Sequence, residues 1–418
     1  MKAKETDVLV VGAGPVGLMA GLFLAQAGVK ATVVDREMGP TVRSYACALH
    51  TRSLKYLQQL GLLEAVVAVG RKVSKVAFYE QDLRRAELNF AEPGSEFPYM
   101  LLVPQDAFEQ VLESALVTQT GRPVLWNHRL TDLQPGDDSV ISTIEELTGT
   151  SMGYTIPHWE TVVKARFSLR SKLLIGADGH NSLVRQQLHI EPVRAPGRHA
   201  FAAYEFLTDD HDYDEVRVVM APESTSVLWP LPGNKCRWTF QLLHSEVAEF
   251  PGKERKAIRL SDEATDQKIR AFVQELARKR APWFNLPIKG ISWCSEVVFE
   301  HFCVKTFGID RCWLAGDAAH QTGPVGVQSM NAGFSEAQAI SAAFAQNPSA
   351  SGLSSRLQEF NQANLARWQQ LLGLTGGLKS GPKTDLWIKD RSQRLLESLP
   401  ATDAALERLA AQLQLQLG

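Results

Sequence analysis

One stretch limits what the rest of the chain can be: Thr6 to Arg36, TDVLVVGAGPVGLMAGLFLAQAGVKATVVDR. Asp7–Val11 is a short apolar, β-branched run of the kind buried in parallel sheets. Gly12, Gly14 and Gly17 follow at G-x-G-x-x-G spacing. In such a turn the first glycine allows the tight bend and the second admits a pyrophosphate against the backbone. The third lets the helix pack closely on the strand. Pro15 suits an early helical position, where its missing N–H would be unpaired anyway. Free N–H groups and the helix dipole then favour phosphate at the helix start. The pattern predicts a helix to about Ala27, ended by Gly28, and a second strand over Lys30–Val34. Asp35, followed by Arg36, stands at the end of that strand, where an acid takes ribose hydroxyls. A lone G-x-G-x-x-G is weak evidence, but the strand before it, the helix after it and the acid at this distance make a dinucleotide site the better reading.

The same segment excludes other roles. Three glycines at turn spacing and Gln26 argue against a membrane span, and Glu5 and Asp7 are wrong for the basic start of a signal peptide. At 418 residues the chain should form more than one core. A net charge of −2 gives no reason to expect nucleic acid or an acidic membrane as partner. The five cysteines, Cys47, Cys236, Cys294, Cys303 and Cys312, are scattered and never spaced C-x-x-C. Neither a disulfide framework nor a metal site is expected, and a reducing cytoplasm is the expected compartment.

Further along, Arg43–Leu63 contains a helix with Leu54, Leu57 and Leu60 on one side, and Arg43 is placed to approach phosphates. From Val73 the period changes to two, and VSKVAFY and RRAELNF read as strands of a different sheet. Gln105 precedes a helix from Ala107 to about Thr118. Lys164–Leu173 alternates so that Ala165, Phe167 and Leu169 share a covered face. Strands recur in 200–243, with Cys236, Trp238, Phe240 and Leu242 on one side. A charged helix over 262–280 buries Ile269, Phe272, Val273 and Leu276, and a final helical segment packs Leu406, Leu409 and Leu413 on the core.

Two more glycine-acid turns follow apolar strands: Gly176-Ala177-Asp178-Gly179 and Gly316-Asp317-Ala318-Ala319-His320. After Gly323-Pro324-Val325-Gly326 a helix opens around Met330-Asn331. Three such turns in this order resemble the class A FAD-dependent aromatic monooxygenases, the para-hydroxybenzoate and phenol hydroxylase type. The likeness spans about residues 6–345.

The resemblance implies an α/β fold: a Rossmann-like FAD-binding domain, a smaller sheet-based substrate domain and a helical C-terminal segment. The FAD domain would be discontinuous, made of 1–72, 100–190 and 291–350, with the substrate domain from 73–99 and 191–290 and the helical segment over 351–418. Gly12, Gly14, Pro15 and Gly17 would cradle the FAD pyrophosphate, with Asp35 and Arg36 at the adenosine ribose. Arg43 and Gln105 match family residues near the cofactor, and Asp178-Gly179 the motif tied to FAD and pyridine nucleotide. Gly316-Asp317 would hold the ribityl chain, and Pro324 would sit beside the reacting edge of the ring. Gly326 and the N–H groups near Met330 and Asn331 would face its pyrimidine carbonyl.

The implied activity is hydroxylation of an aromatic or polyketide-like small molecule with O2 and NAD(P)H, through a flavin C4a-hydroperoxide that the protein shields. NADPH or NADH would bind transiently, since there is one G-x-G-x-x-G unit. A monomer or homodimer is expected. Alternatives on the same fold are a flavin-dependent halogenase, a reductase and a non-catalytic flavin-binding protein; the halogenase W-x-W-x-I-P stretch has no match at Leu228-Trp229-Pro230-Leu231-Pro232.

Three positions depart from the family pattern. Val327 and Ser329 stand where glycines are usual, and Glu336 where an aspartate is. A side chain at 329 is expected to crowd the flavin ring or restrict its swing. No catalytic base is identified; His50, Tyr204, Trp229 and His320 are candidates, and a core or surface role suits each better. Trp229 and Trp238 could wall an aromatic pocket.

Overall fold

The structure is a computed structural model and describes residues 4–41, 47–92, 95–152, 158–249, 263–346 and 350–418. β1 (Lys4–Val11), α1 (Pro15–Gln26) and β2 (Ala31–Val34) form the unit that the opening stretch predicts. Every residue of β1 from Val8 to Val11 has a hydrophobic side chain at or near zero exposure except the flanking turn. This burial on both faces is why the run is apolar without alternation. α1 is likewise buried along Gly17–Leu24, because it packs between the sheet, α2 (Gln105–Thr120) and a later helix.

The first sheet is completed by β3 (His158–Gly176), which lies parallel to β1 on the side away from β2. A short strand, Cys312–Leu314, adds in parallel to the end of β3. All three chain segments therefore run their carboxyl ends to one edge, where Gly12, Gly176 and Ala315 emerge. Val140–Met152 pairs antiparallel with β3 over its whole length. The expected covered face of Lys164–Leu173 begins only at Leu169: Ala165 is exposed and Phe167 half-buried. The pairing of β1 with this strand begins at Lys4 opposite Leu169, and among the described residues no strand pairs on that side before it.

The second sheet has eight strands. Its middle is built from β4 (Pro192–Leu207), β5 (Lys235–Leu242) and β6 (Gly290–Val304), all antiparallel. β6 pairs within this sheet, with β4 on one side.

The two faces of the second sheet bury different cores. One carries Tyr204, Phe206, Trp238, Phe240 and Leu242 against α3 (Glu263–Arg280), through Ile269, Val273 and Leu276. The other carries Phe201, Trp229 and Val227 and merges with the main core.

The C-terminal residues tie the two sheets together. α4 (Gln328–Gln346) packs on α1, and its Gln328 Nε2 donates to the carbonyls of Leu396 and Leu399 at 2.9 and 3.1 Å. From α5 (Ser392–Ser398), Arg394 donates to the carbonyls of Ala221, Pro222 and Ser224 and to Thr225 Oγ1. Leu406, Leu409 and Leu413 are buried, as their helical spacing predicts. A partly buried guanidinium holding three carbonyls is costly to remove. Arg394→Ala should lower unfolding free energy by about 2 to 4 kcal/mol in urea denaturation, because those acceptors lose a charged donor. A change below about 0.5 kcal/mol would show that the C-terminal strap is not held there.

Candidate cofactor and substrate site

The three turns meet at one cavity of about 350 Å³. Gly14 and Pro15 come from the first turn, Ala177, Gly179 and His180 from the second, and Ala315 and Asp317 from the third. Their contact is direct. Gly12 has φ +101°, and a β-carbon there would overlap the Ala177 carbonyl and lie 2.9 Å from Asp178 Cα. A β-carbon on Gly17 would overlap the carbonyl of Gly12. Gly14 differs: nothing lies within 4 Å of its β-carbon position. The turn is thus closed where backbones cross and open where α1 starts. That arrangement fits a pyrophosphate laid on a helix N-terminus.

The acids divide into those facing the cavity and those committed to the turns. Asp317 lines the cavity, and burial raises its carboxyl above the usual range, against the opposing pull of His320 and His180. Asp178 does not line it. Its carboxylate accepts from Ser182 Oγ at 2.6 Å and from the Leu183 and Val184 N–H groups at 2.7 and 3.2 Å, capping a short helix. Asp35 accepts from the N–H of Ala13 at 2.6 Å and of Glu37 at 2.8 Å, which places it beside the glycine turn. Arg36 is exposed and paired with Glu37. Gln105 lines the cavity from the start of α2, and its Nε2 donates to Glu109 at 2.8 Å. Glu109 is buried, which pushes its carboxyl up to about 7. Arg43 lies outside the described residues.

Pro324, Val327, Ser329 and Met330 form the wall leading into α4. Ser329 does not stand free in the cavity. Its Oγ accepts from the Thr322 N–H at 3.0 Å and lies 3.3 Å from Thr322 Oγ1, so the hydroxyl folds back and pins the loop before Pro324. Val327 carries φ +49°, a strained position for a branched residue and one where glycine is at ease. Asn331 uses its side chain on the protein: Nδ2 donates to the carbonyls of Ala48 and Val327, and Oδ1 accepts from His50 N–H and Ser53 Oγ.

The four candidate bases do not line the cavity. His50 is buried, its Nε2 lies 3.0 Å from the Gly326 carbonyl, and burial lowers its pKa to about 3; it holds the loop as a neutral ring. Tyr204 is on the far face of the second sheet, against Phe240 and Phe272. Trp229 is on the near face but inside the packed core, and Trp238 on the far one, so the two tryptophans do not share a wall.

His320 is fully buried behind the third turn, stacked on Trp368 with ring centroids 3.6 Å apart. Its Nε2 lies 2.8 Å from the carboxylate of Glu336, which also accepts from Gly316 N–H at 2.9 Å and Trp368 Nε1 at 3.0 Å. Burial alone would raise that carboxyl; the His320 ring and these donors outweigh it and hold it below the usual range. Glu336 thereby fixes the turn that presents Asp317.

Sequence reasoning missed the far side of the cavity. Val297 and Phe299 reach it from β6, and Gln321, Thr322 and Gly323 from the loop before Pro324. The alternation of Val297, Phe299 and His301 was a usable signal. Among the described residues no group of three metal-ligating side chains is present, and no helix is long and apolar enough to cross a membrane.

The FAD binding domain family profile matches residues 5–375. A 6-methylpretetramide 4-monooxygenase from Streptomyces rimosus is 28% identical over 340 residues, covering 80% of this chain and 55% of the relative. The chain spans under two thirds of the length of this and the next two curated relatives, at 60% and 62%. A para-nitrophenol 4-monooxygenase from Pseudomonas sp. strain WBC-3 is 23% identical over 96% of this chain and 92% of its own length. The crystal structure of p-nitrophenol 4-monooxygenase from Pseudomonas putida DLL-E4 superposes with TM-score 0.72 at 20% identity, over 98% of this chain and 92% of that one, a likeness of fold.

Two outcomes test this geometry. Glu336→Gln should destabilise the protein by about 3 kcal/mol at pH 7, since it leaves a buried cluster short of its acceptor charge. Because the folded carboxyl sits low, its contribution is present above the unfolded pKa and lost as pH falls through the folded one. The gap between wild type and variant should therefore narrow in denaturation at pH 4; a gap that widens would place the charge elsewhere. Ser329→Gly should cost about 1 kcal/mol, the loss of one buried hydrogen bond. An unchanged midpoint would mean that the Thr322 contact is not formed in solution.

Proposed function

The chain belongs to the FAD binding domain family, and from that footing we propose that it is an FAD-dependent monooxygenase that hydroxylates an aromatic or polyketide-like small molecule with O2 and NAD(P)H. The observation that carries this is a single cavity whose one side is Gly14, Asp317 and Pro324 and whose other is Val297 and Phe299 of the second sheet. A cofactor cradle that opens directly on an apolar wall suits a flat, apolar substrate. The names of the relatives, acting on 6-methylpretetramide and on para-nitrophenol, support the same substrate class.

Within this proposal each residue has a physical task. Gly12, Gly14, Pro15 and Gly17 take the pyrophosphate and Asp317 the ribityl chain, with Asp35 near the adenosine ribose. Bound FAD supplies hydride acceptance and oxygen activation. Pro324 would stand beside the ring, and Val297 and Phe299 would exclude water, which matters because water diverts activated oxygen to side products. Met330 and Asn331 lie in the first turn of α4, whose free N–H groups and helix dipole would favour negative charge on a reduced ring. Asp178 acts through the shape of its turn, since its carboxylate is already saturated. The cofactor-binding unit comprises the first sheet with its helices, and the substrate unit the second sheet.

Purified FAD-loaded protein supplied with NAD(P)H, ¹⁸O2 and a panel of phenols and polycyclic aromatics should place one ¹⁸O atom in a product. Substrate-independent NAD(P)H oxidation with no label in any compound of the panel would contradict the hydroxylase reading.

A further inference from the structure

On its cavity-facing side the second sheet carries a polar group that none of the roles above uses. Across β4 and β6, His199 pairs with Phe299 and Phe201 with Val297. Side chains alternate along a strand, so His301 lies on the same face as Val297 and Phe299, the two that line the cavity. The rings form one cluster: Phe201 and Phe299 meet edge to face at 5.7 Å, and His199 and His301 at the same separation. His301 is buried, and its Nε2 has no hydrogen-bond partner among the described residues. That atom lies 3.3 Å from the point a β-carbon on Gly323 would occupy, with the Phe201 ring 3.8 Å from it. His301 does not itself line the cavity; it stands behind Gly323, which does, so its Nε2 is one glycine removed from the space beside Pro324. A buried, unsatisfied ring nitrogen is costly unless something meets it.

The other ring nitrogen faces outward. His301 Nδ1 is 4.0 Å from Glu397 Oε1, and the Glu397 side chain is 30% exposed. His199 is held by Gln241, whose Nε2 lies 2.9 Å from His199 Nδ1. The charged and titratable groups around His301 are thus His199 from β4 and Glu397 and Arg394 from α5. Burial holds His301 below the ordinary histidine range, so near neutral pH the ring is uncharged and has a lone pair to offer.

We propose that His301 is the residue that binds the hydroxyl of an acidic aromatic substrate, a phenol or enol, and accepts its proton at Nε2. The inference takes from the proposed function only that the cavity holds an aromatic substrate beside Pro324. In the step, the substrate O–H bond breaks, an Nε2–H bond forms, and the electron pair stays on oxygen, where it enriches the ring carbons to be oxygenated. The proton stays on the ring, and the imidazolium pairs with the phenolate at Nε2 while its Nδ1 stands 4.0 Å from the Glu397 carboxylate. Gly323 is required because any side chain would fill the approach to Nε2.

Binding of 4-nitrophenol and of its methyl ether, 4-nitroanisole, to the FAD-loaded enzyme tests this by equilibrium dialysis, with the absorbance of bound nitrophenolate as a second readout. Wild type should prefer the phenol by about tenfold or more, as expected of a site built to pair a hydroxyl, and show the phenolate band at a pH where free 4-nitrophenol is largely protonated. His301→Leu should bind the two compounds about equally and lose the band. Gly323→Ala, which leaves His301 in place, should do the same, and it covers the case in which the leucine variant fails to fold. Equal affinities in the wild type, binding of neither compound, or a preference that survives both substitutions would overturn the assignment. The ¹⁸O experiment separates the two claims. Label in a product with the preference intact in both variants leaves the monooxygenase reading standing without His301. A preference that depends on His301, with no label, does the reverse.

Discussion

The whole structure depends on how closely three backbone turns approach one another. Gly12 lies on the Ala177–Asp178 peptide, and Gly316 and Gly333 both receive Val16, which is the second residue of α1. A β-carbon on Gly333 would come 2.7 Å from Val16 Cγ2 and 2.9 Å from Gly316 Cα. Segments far apart in the chain are thus brought within van der Waals contact at the carboxyl ends of the parallel strands of the first sheet. Such an edge is where open α/β sheets bind ligands, because the helices that follow the strands turn their N-termini towards it. The turns leave Gly14 and Asp317 facing a shared space, the cavity proposed to hold the cofactor.

Around this contact the polar side chains do mostly structural work. Asp178 caps its own turn, Asn331 links α4 to the strand at Ala48, and Glu336 gathers three donors behind Gly316. Each satisfies backbone groups that a sharp turn would otherwise leave buried and unpaired, the condition under which such turns persist in a core. The cavity is completed from outside by the second sheet, which the C-terminal strap holds through Gln328 and Arg394. Residues after 390 thereby hold the start of α4 and the second sheet in place behind the site.

Much of this was legible in the sequence. The opening βαβ unit, the two further glycine-acid turns and the change to a period of two after Val73 are local patterns, and local patterns survive folding. The candidate bases were not legible. His50 and His320 look alike as sequence, yet one clamps the Gly326 carbonyl and the other a buried carboxylate, and only the packing tells them apart. Tyr204 and Phe201 lie three residues apart on one strand, so they point to opposite faces, and the sequence does not say which face meets the cofactor. Ser329 departs from the family glycine, but its partner Thr322 is visible only in three dimensions. The pairing of β6 with β4, about a hundred residues earlier, is a long-range contact with no local signature.

The most direct test is a crystal structure of the protein with FAD bound. The pyrophosphate should lie against Gly14 at the start of α1, the ribityl chain at Asp317, and the ring beside Pro324 with one edge open towards Val297 and Phe299. A ring turned away from the second sheet, or FAD bound without contact to all three turns, would contradict the account.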